Sequence, residues 1–412
     1  MLVRKLLAWA AEAPPNERAP AAAALARALM DRTLLPVEQD EAEMALTVLA
    51  DDSSPLVRRA LAAELAPRAD APRHILLTLA HDQTDVAEPI LRQSGALSPA
   101  ELIDCARMGG APAHMAIASR ADTPPAVCAA LADACGREAA LALLANGGAH
   151  CDGATLGRLT ERFCDDVEVR EALLAREDLP PASRAALVDA TASALRALVM
   201  ERGWMSGERV ERAVREASDQ GVVAVPRDGQ DEALALVRSL RGRGRLTPAL
   251  LLRGILSGDQ TLLAAALAEL GGVDFARAQG YVAAPEGPGF AALCARAELP
   301  EALVEVFRAA ALAARRWRNE SDVIEGGRLI REIVDPVLAA AEKAAPGPDG
   351  DGAPVVALLR RLQSEAIRRE ARNFQHKVRE IPLTVDVRGR PQTAESVLQR
   401  RIASLFRAPR AA

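Results

Sequence analysis

Arg120-Ala-Asp-Thr-Pro-Pro-Ala126 returns 56 residues later as Arg176-Glu-Asp-Leu-Pro-Pro-Ala182. A weaker copy, Asn146-Gly-Gly-Ala-His-Cys-Asp152, lies between them, and Gln93-Ser-Gly-Ala-Leu-Ser-Pro99 precedes them. The copies start at 93, 120, 146 and 176, a period of 26 to 30 residues. Self-similarity at that period is the mark of stacked helical pairs. Around each copy the apolar residues recur at steps of three and four, as in Val57, Leu61 and Leu65 or Val169, Leu173 and Leu174. That spacing places them on one helical face. After each corner a second helix is expected, entered at Ser98-Pro99, Thr123-Pro124 and Pro180-Pro181. In the first two, a hydroxyl N-cap precedes a proline whose missing N–H costs nothing.

One such pair is too short to bury its own apolar face, so its neighbours must cover it. The composition agrees: hydrophobic residues make up 50% of the chain and aromatics 2%, as tight alanine-rich helix stacking requires. The fold class expected is all-α, an α-solenoid of HEAT-like helical pairs with a second helical array and a C-terminal basic helix after a linker. The divisions are 1–52, an N-terminal helical cap, then 53–190, the repeat array, then 191–344, the second array. A linker at 345–353, Ala345-Pro-Gly-Pro-Asp-Gly-Asp-Gly-Ala353, separates these from a basic tail, 354–412. Within the second region Val222–Val225 reads as a short extended segment stopped by Pro226. In the tail, 355–380 reads as one basic helix, 381–389 as strand-like, and 391–406 as a last helix.

Net charge is −5 over 412 residues, unevenly spread. The last 60 residues hold 13 Lys/Arg against 5 Asp/Glu, so the tail carries +8 and the rest −13. The six cysteines form no CxxC and no secreted disulfide pattern. The apolar run at the start is broken by Glu12, and no segment approaches the length of a membrane span. A cytoplasmic setting is expected.

Asp51-Asp-Ser-Ser-Pro-Leu-Val-Arg-Arg-Ala-Leu61 and Leu173-Leu-Ala-Arg-Glu-Asp-Leu-Pro-Pro181 carry a family resemblance. With Asp85-Val-Ala-Glu-Pro-Ile-Leu-Arg92 and Gly287-Pro-Gly-Phe-Ala-Ala-Leu293, they make the chain similar to the alphaproteobacterial proteins of domain of unknown function 2336. The repeats of those proteins resemble HEAT and leucine-rich-variant repeats. The resemblance covers roughly residues 40–310. It implies a helical-repeat fold and a bacterial setting, and it brings no catalytic residues.

Few residues invite a chemical reading. Cys135, His150, Cys151 and Cys164 lack metal-ligand spacing, and buried packing explains cysteines in a repeat core. Gly242-Arg-Gly244 and Gly287-Pro-Gly289 lack the Gly-Lys-Ser/Thr ending of a phosphate loop and read as turns. Arg120 and Arg176 share a repeat position, each with an aspartate two residues on. They read either as an Arg–Asp pair closing each corner or as contacts for an acidic partner. The pair is favoured, because Gln93 and Asn146 break the charge row. In the tail, Arg360, Arg361, Arg368, Arg369 and Arg372 lie on one helix and are the other partner-binding candidates. Docking on the acidic body or self-association through that helix is favoured over phosphate attraction. The function expected is a non-catalytic protein- or peptide-binding scaffold without cofactor. The alternative is a nucleic-acid-binding repeat protein using the arginine-rich tail.

Overall fold

The computed structural model describes residues 2–225, 227–299 and 301–320, with short helical pieces between 334 and 371. The linker at 345–353, the strand-like segment at 381–389 and the helix at 391–406 lie outside the described residues. The chain divides into two compact units, Met1–Leu236 and Val237–Ala412. All regular secondary structure among the described residues is helical, apart from one isolated bridge between Thr123 and Ala149.

The first unit opens with α1 (Leu2–Ala10), α2 (Pro15–Met30) and α3 (Pro36–Ala50). Five helical pairs follow. They are α4 (Pro55–Leu65) with α5 (Arg73–Ala80), α6 (Thr84–Gln93) with α7 (Pro99–Met108), and α8 (Ala111–Ala118) with α9 (Pro125–Ala134). Next come α10 (Arg137–Ala145) with α11 (Gly153–Phe163), and α12 (Val167–Leu174) with α13 (Pro181–Glu201). A returning helix, α14 (Gly207–Ala224), packs along α13.

First helices pack on first helices: α4 on α6, α6 on α8, α8 on α10 and α10 on α12. Second helices do likewise, α7 on α9, α9 on α11 and α11 on α13. The result is a two-layer helical-repeat stack in which each pair is covered by the pairs before and after it. Its apolar seam runs unbroken from Val3 to Leu187. Val57, Leu61, Leu65, Leu131, Leu143, Val169 and Leu173 are all fully buried in it. Each such side chain contributes about 1.5–3 kcal/mol of transfer free energy on burial.

The helices are short, and a short helix leaves a large share of its carbonyls without an intrahelical partner. At several corners those carbonyls face the next repeat, and a donor from that repeat reaches back to them. Arg120 donates through its two terminal nitrogens to the carbonyls of Leu91 and Ser94, both at 2.6 Å. One repeat later, Asn146 Nδ2 donates to the carbonyls of Ala118 and Arg120 at 2.8 and 2.7 Å. Arg162 serves the carbonyls of Ala132 and Cys135 in the other layer. The donor and its acceptors are one repeat apart in sequence in every case.

This corrects the corner reading of Arg120. Asp122 does not hold it; its guanidinium is buried against the preceding corner and only 8% of the residue is exposed. Arg176 does pair with Asp178, at 2.7 and 2.8 Å, with a longer reach to the Leu144 carbonyl. That pairing holds the Asp178 carboxyl below its usual range.

Two further local expectations change. Ser98 caps α7 with a reciprocal Glu101 bond, but Thr123 does not cap α9. Its backbone is taken by the bridge to the next corner, and Pro124 stands at the N-cap instead. Val222–Ala224 is the last turn of α14, not an extended segment. Val222 and Ser218 are buried along one helical face, and Gly221 lies against Val188, so packing on α13 overrides the strand preference of valine.

The second unit begins within α15 (Gln230–Gly242), at Val237, and continues with α16 (Pro248–Leu256), α17 (Gln260–Gly271), α18 (Phe275–Ala283), α19 (Pro288–Arg296) and α20 (Glu301–Glu320). Its core gathers around α17, buried continuously from Leu262 to Ala268, as befits a helix apolar on every side. Thr247 and Asp259 cap α16 and α17, and left-handed Gly272 ends α17. Arg296 reaches back to the Gly271 carbonyl at 3.0 Å, the same device at a similar separation.

Arg120→Met is therefore expected to destabilise the first unit by about 2–4 kcal/mol, because two buried carbonyls lose a charged donor. Arg176→Met is expected to cost only about 1 kcal/mol, since its aspartate pair is partly exposed. Urea titration followed by helical circular dichroism checks this order, and equal or reversed effects would contradict it.

Candidate interaction surface

α13 is 21 residues long, whereas the second helices before it have 8 to 11. Its first turns belong to the stack, where Ser183, Ala185, Ala186 and Leu187 are buried. From Thr191 onward every residue is exposed or half-exposed. At 1.5 Å per residue this distal part is about 15 Å of helix beyond the last buried turn. α14 returns alongside it, forming a helical hairpin.

The root of this hairpin is tightly specified. Gly221 of α14 has no room for a side chain, since an added Cβ would lie 2.7 Å from Val188 Cγ1. Ser218, itself buried, donates its hydroxyl proton to Asp189. Distally the hairpin presents Leu195 (54% exposed), Leu198, Met200, Trp204 (65% exposed) and Met205. Arg202 lies against the Trp204 ring, 5.8 Å from its centroid. Arg196 pairs with Glu211 across the two helices at 2.5 Å. From Ala190 to Ser218 five arginines face four glutamates, so the hairpin is close to neutral. The large side chains it exposes at its distal end are mostly apolar.

The residues singled out in sequence lie elsewhere. Arg120 is structural and Arg176 is held by Asp178. Arg360 pairs with Glu342 at 2.9 Å, Arg361 is half-buried, and Arg368 is exposed with a bond to Ser364. The side chains of Arg369 and Arg372 lie outside the described residues. Cys135, His150 and Cys164 do not converge. The Cys135 carbonyl receives Arg162, the Cys164 carbonyl receives Arg170, and exposed His150 lies 3.1 Å from Asp122. The described residues hold no cluster of three or more histidine, cysteine or acidic side chains placed to bind a metal.

A cavity of about 450 Å³ opens where the turn between α5 and α6 meets α7 and α8. Its polar groups suit catalysis poorly. Cys105 lies 3.9 Å from His81 Nε2, but burial, then Asp104 and Glu101, push its thiol up, away from the thiolate a nucleophile needs. Asp82 is held by Arg58, which keeps its carboxyl low.

The stacked pairs and the hairpin that leaves them define an all-α helical-repeat protein whose distinctive surface is an apolar helix face. The chain belongs to the family described as an uncharacterised protein conserved in bacteria, DUF2336, whose model matches residues 86–346. The match begins within α6, later than the resemblance read from about residue 40, and it reaches residue 346 in the second unit, beyond the 310 read from sequence. Comparisons with curated proteins and with solved structures found no match. None of the described helices is long and apolar enough to cross a membrane.

The hairpin's apolar residues were missed in sequence because Leu195 and Leu198 keep the spacing of a core face. The double substitution Leu195→Ser and Leu198→Ser is expected to move the melting temperature by less than about 2 °C, as exposed positions do. Gly221→Leu is expected to lower it clearly. A large loss in the serine variant would show that the distal face is covered within the chain.

Proposed function

We propose that the protein is a non-catalytic helical-repeat scaffold that holds a protein partner on the distal face of the α13–α14 hairpin. The observation that carries this reading is the exposure of Leu195 and Leu198 on one face of α13, joined by exposed Met200 and, in the turn that follows the helix, exposed Trp204 and Met205. Large apolar side chains gathered in exposed positions mark interaction surfaces. Tryptophan supplies an anchor with large contact area, and methionine adapts to irregular partners. The partner of matching chemistry is an amphipathic helix that lays its apolar stripe along α13, with its polar face outward. The near-neutral charge of the hairpin favours such a partner over an anionic polymer. We place the protein in the cytoplasm, where its six free thiols are maintained.

Photo-crosslinking from a benzoyl-phenylalanine at Ala197 in a bacterial lysate tests the reading. A protein adduct is expected there, lost in a chain that also carries Leu195→Glu and Trp204→Glu, and kept with Arg360→Glu. An adduct indifferent to the hairpin changes would overturn the proposal. So would RNA bound through the arginines of the tail in place of protein, seen as a salt-dependent gel shift.

A further inference from the structure

The single bridge among the described residues joins two successive corners. Thr123 N–H donates to the Gly148 carbonyl at 2.9 Å, and His150 N–H donates to the Thr123 carbonyl at 3.1 Å. Gly148 is required there, because a Cβ would stand 1.9 Å from the Ala121 carbonyl oxygen. The bridge draws together two cysteines 23 residues apart in sequence. Cys128, in the first turn of α9, is fully buried, with its Sγ 3.4 Å from the Thr123 carbonyl. Cys151 is half-buried and follows His150, whose N–H meets the same Thr123 carbonyl as the Cys128 thiol, so the two cysteines are brought side by side. The neighbouring charges are Arg176 and Asp178 at the following corner, together with Asp152.

The two thiols are not equivalent. The Cys151 thiol is drawn down by its neighbour Cys128 and then, more weakly, by Arg176; burial, Asp178 and Asp152 oppose this. Cys128 is pushed up, first by that same contact and then by burial. Cys151 is also the thiol that solvent reaches, whereas Cys128 is fully buried. A partly accessible thiol beside a buried one is the arrangement of a thiol sensor with its resolving partner. The other buried cysteines, Cys105, Cys135 and Cys294, are all pushed up by burial, Cys294 to about 11.

We infer that Cys151 and Cys128 form a redox modification site, with Cys151 reacting with a hydroperoxide and Cys128 resolving the product to a disulfide. In the first step the Cys151 sulfur attacks one peroxide oxygen. The S–O bond forms, the O–O bond breaks, and the leaving alkoxide or hydroxide takes up a proton as alcohol or water. Cys151 is then a sulfenic acid. In the second step the Cys128 sulfur attacks the Cys151 sulfur, the S–S bond forms and the S–O bond breaks. Hydroxide leaves with the proton of Cys128 as water. Two thiols lose two electrons, and the hydroperoxide is reduced by two. The product staples α9 to the corner that opens α11, joining adjacent repeats covalently.

The test treats the full-length reduced chain with hydrogen peroxide near neutral pH, then alkylates and digests it with trypsin without reductant. The expected product links Ala121–Arg137 to Glu138–Arg158, is lighter by two hydrogens, and is cleaved by dithiothreitol. It should persist in Cys135→Ser, since the first peptide carries both Cys128 and Cys135. In Cys128→Ser, a dimedone adduct should appear on Cys151 instead. In untreated protein, iodoacetamide should modify Cys151 several-fold faster than Cys164, which is also half-buried, and the excess should shrink in Arg176→Met. A folded chain that yields no linked peptide would overturn the inference, as would a link through Cys135 or a Cys151 no faster than Cys164.

Discussion

A helical pair of this length cannot keep water from its own apolar stripe, and everything else in the first unit follows from how its neighbours do so. Covering the stripe also covers the ends of short helices, where carbonyls have no partner within the helix. Burying those groups unpaired would cost about 1–3 kcal/mol each. Arg120, Asn146 and Arg162 remove that cost by reaching back one repeat to the exposed carbonyls. The register between repeats is therefore set twice, by the apolar seam and by side chains long enough to span one corner to the next. Arg296 does the same for α17 in the second unit.

Where the chain stops obeying this constraint is informative. α13 begins as an ordinary second helix, with Leu187 buried in the common seam. It then runs on past the stack with no further repeat to cover it. Among the described residues α14 accompanies it, through a close approach at Gly221 and the Ser218–Asp189 bond. The apolar residues beyond that root are left facing solvent. The thiol corner lies one helix away, since Cys151 precedes α11 and α11 packs on α13. A covalent link at Cys128 would stiffen the pair on which the hairpin is rooted.

Much of the stack was legible in sequence, because three-and-four spacing of residues such as Val57, Leu61 and Leu65 encodes both the helix and its buried side. The long helix after Pro181 and the capping box at Ser98 were legible for the same reason: their signals are local. What escaped depends on partners a repeat away. Nothing in the sequence near Arg120 shows that its acceptors are the carbonyls of Leu91 and Ser94. Thr123 looks like a cap until the bridge to Ala149 claims its backbone. Val222 to Val225 has strand-forming residues, yet through Ala224 it is the last turn of α14, packed on α13. Leu195 and Leu198 have core spacing, and their exposure depends on where the repeats end. The Cys128–Cys151 contact has no motif, because it is made by a corner rather than by a spacing.

Hydrogen exchange on the full-length chain carrying Leu131→Ala tests the central claim most directly. Leu131 is fully buried in α9. If each pair is sheltered by its immediate neighbours, protection should fall first in α7 and α11, and α3 should keep its own. A loss of equal size from α3 to α13 would mean one undivided core, and the account of neighbour-covered repeats would be wrong.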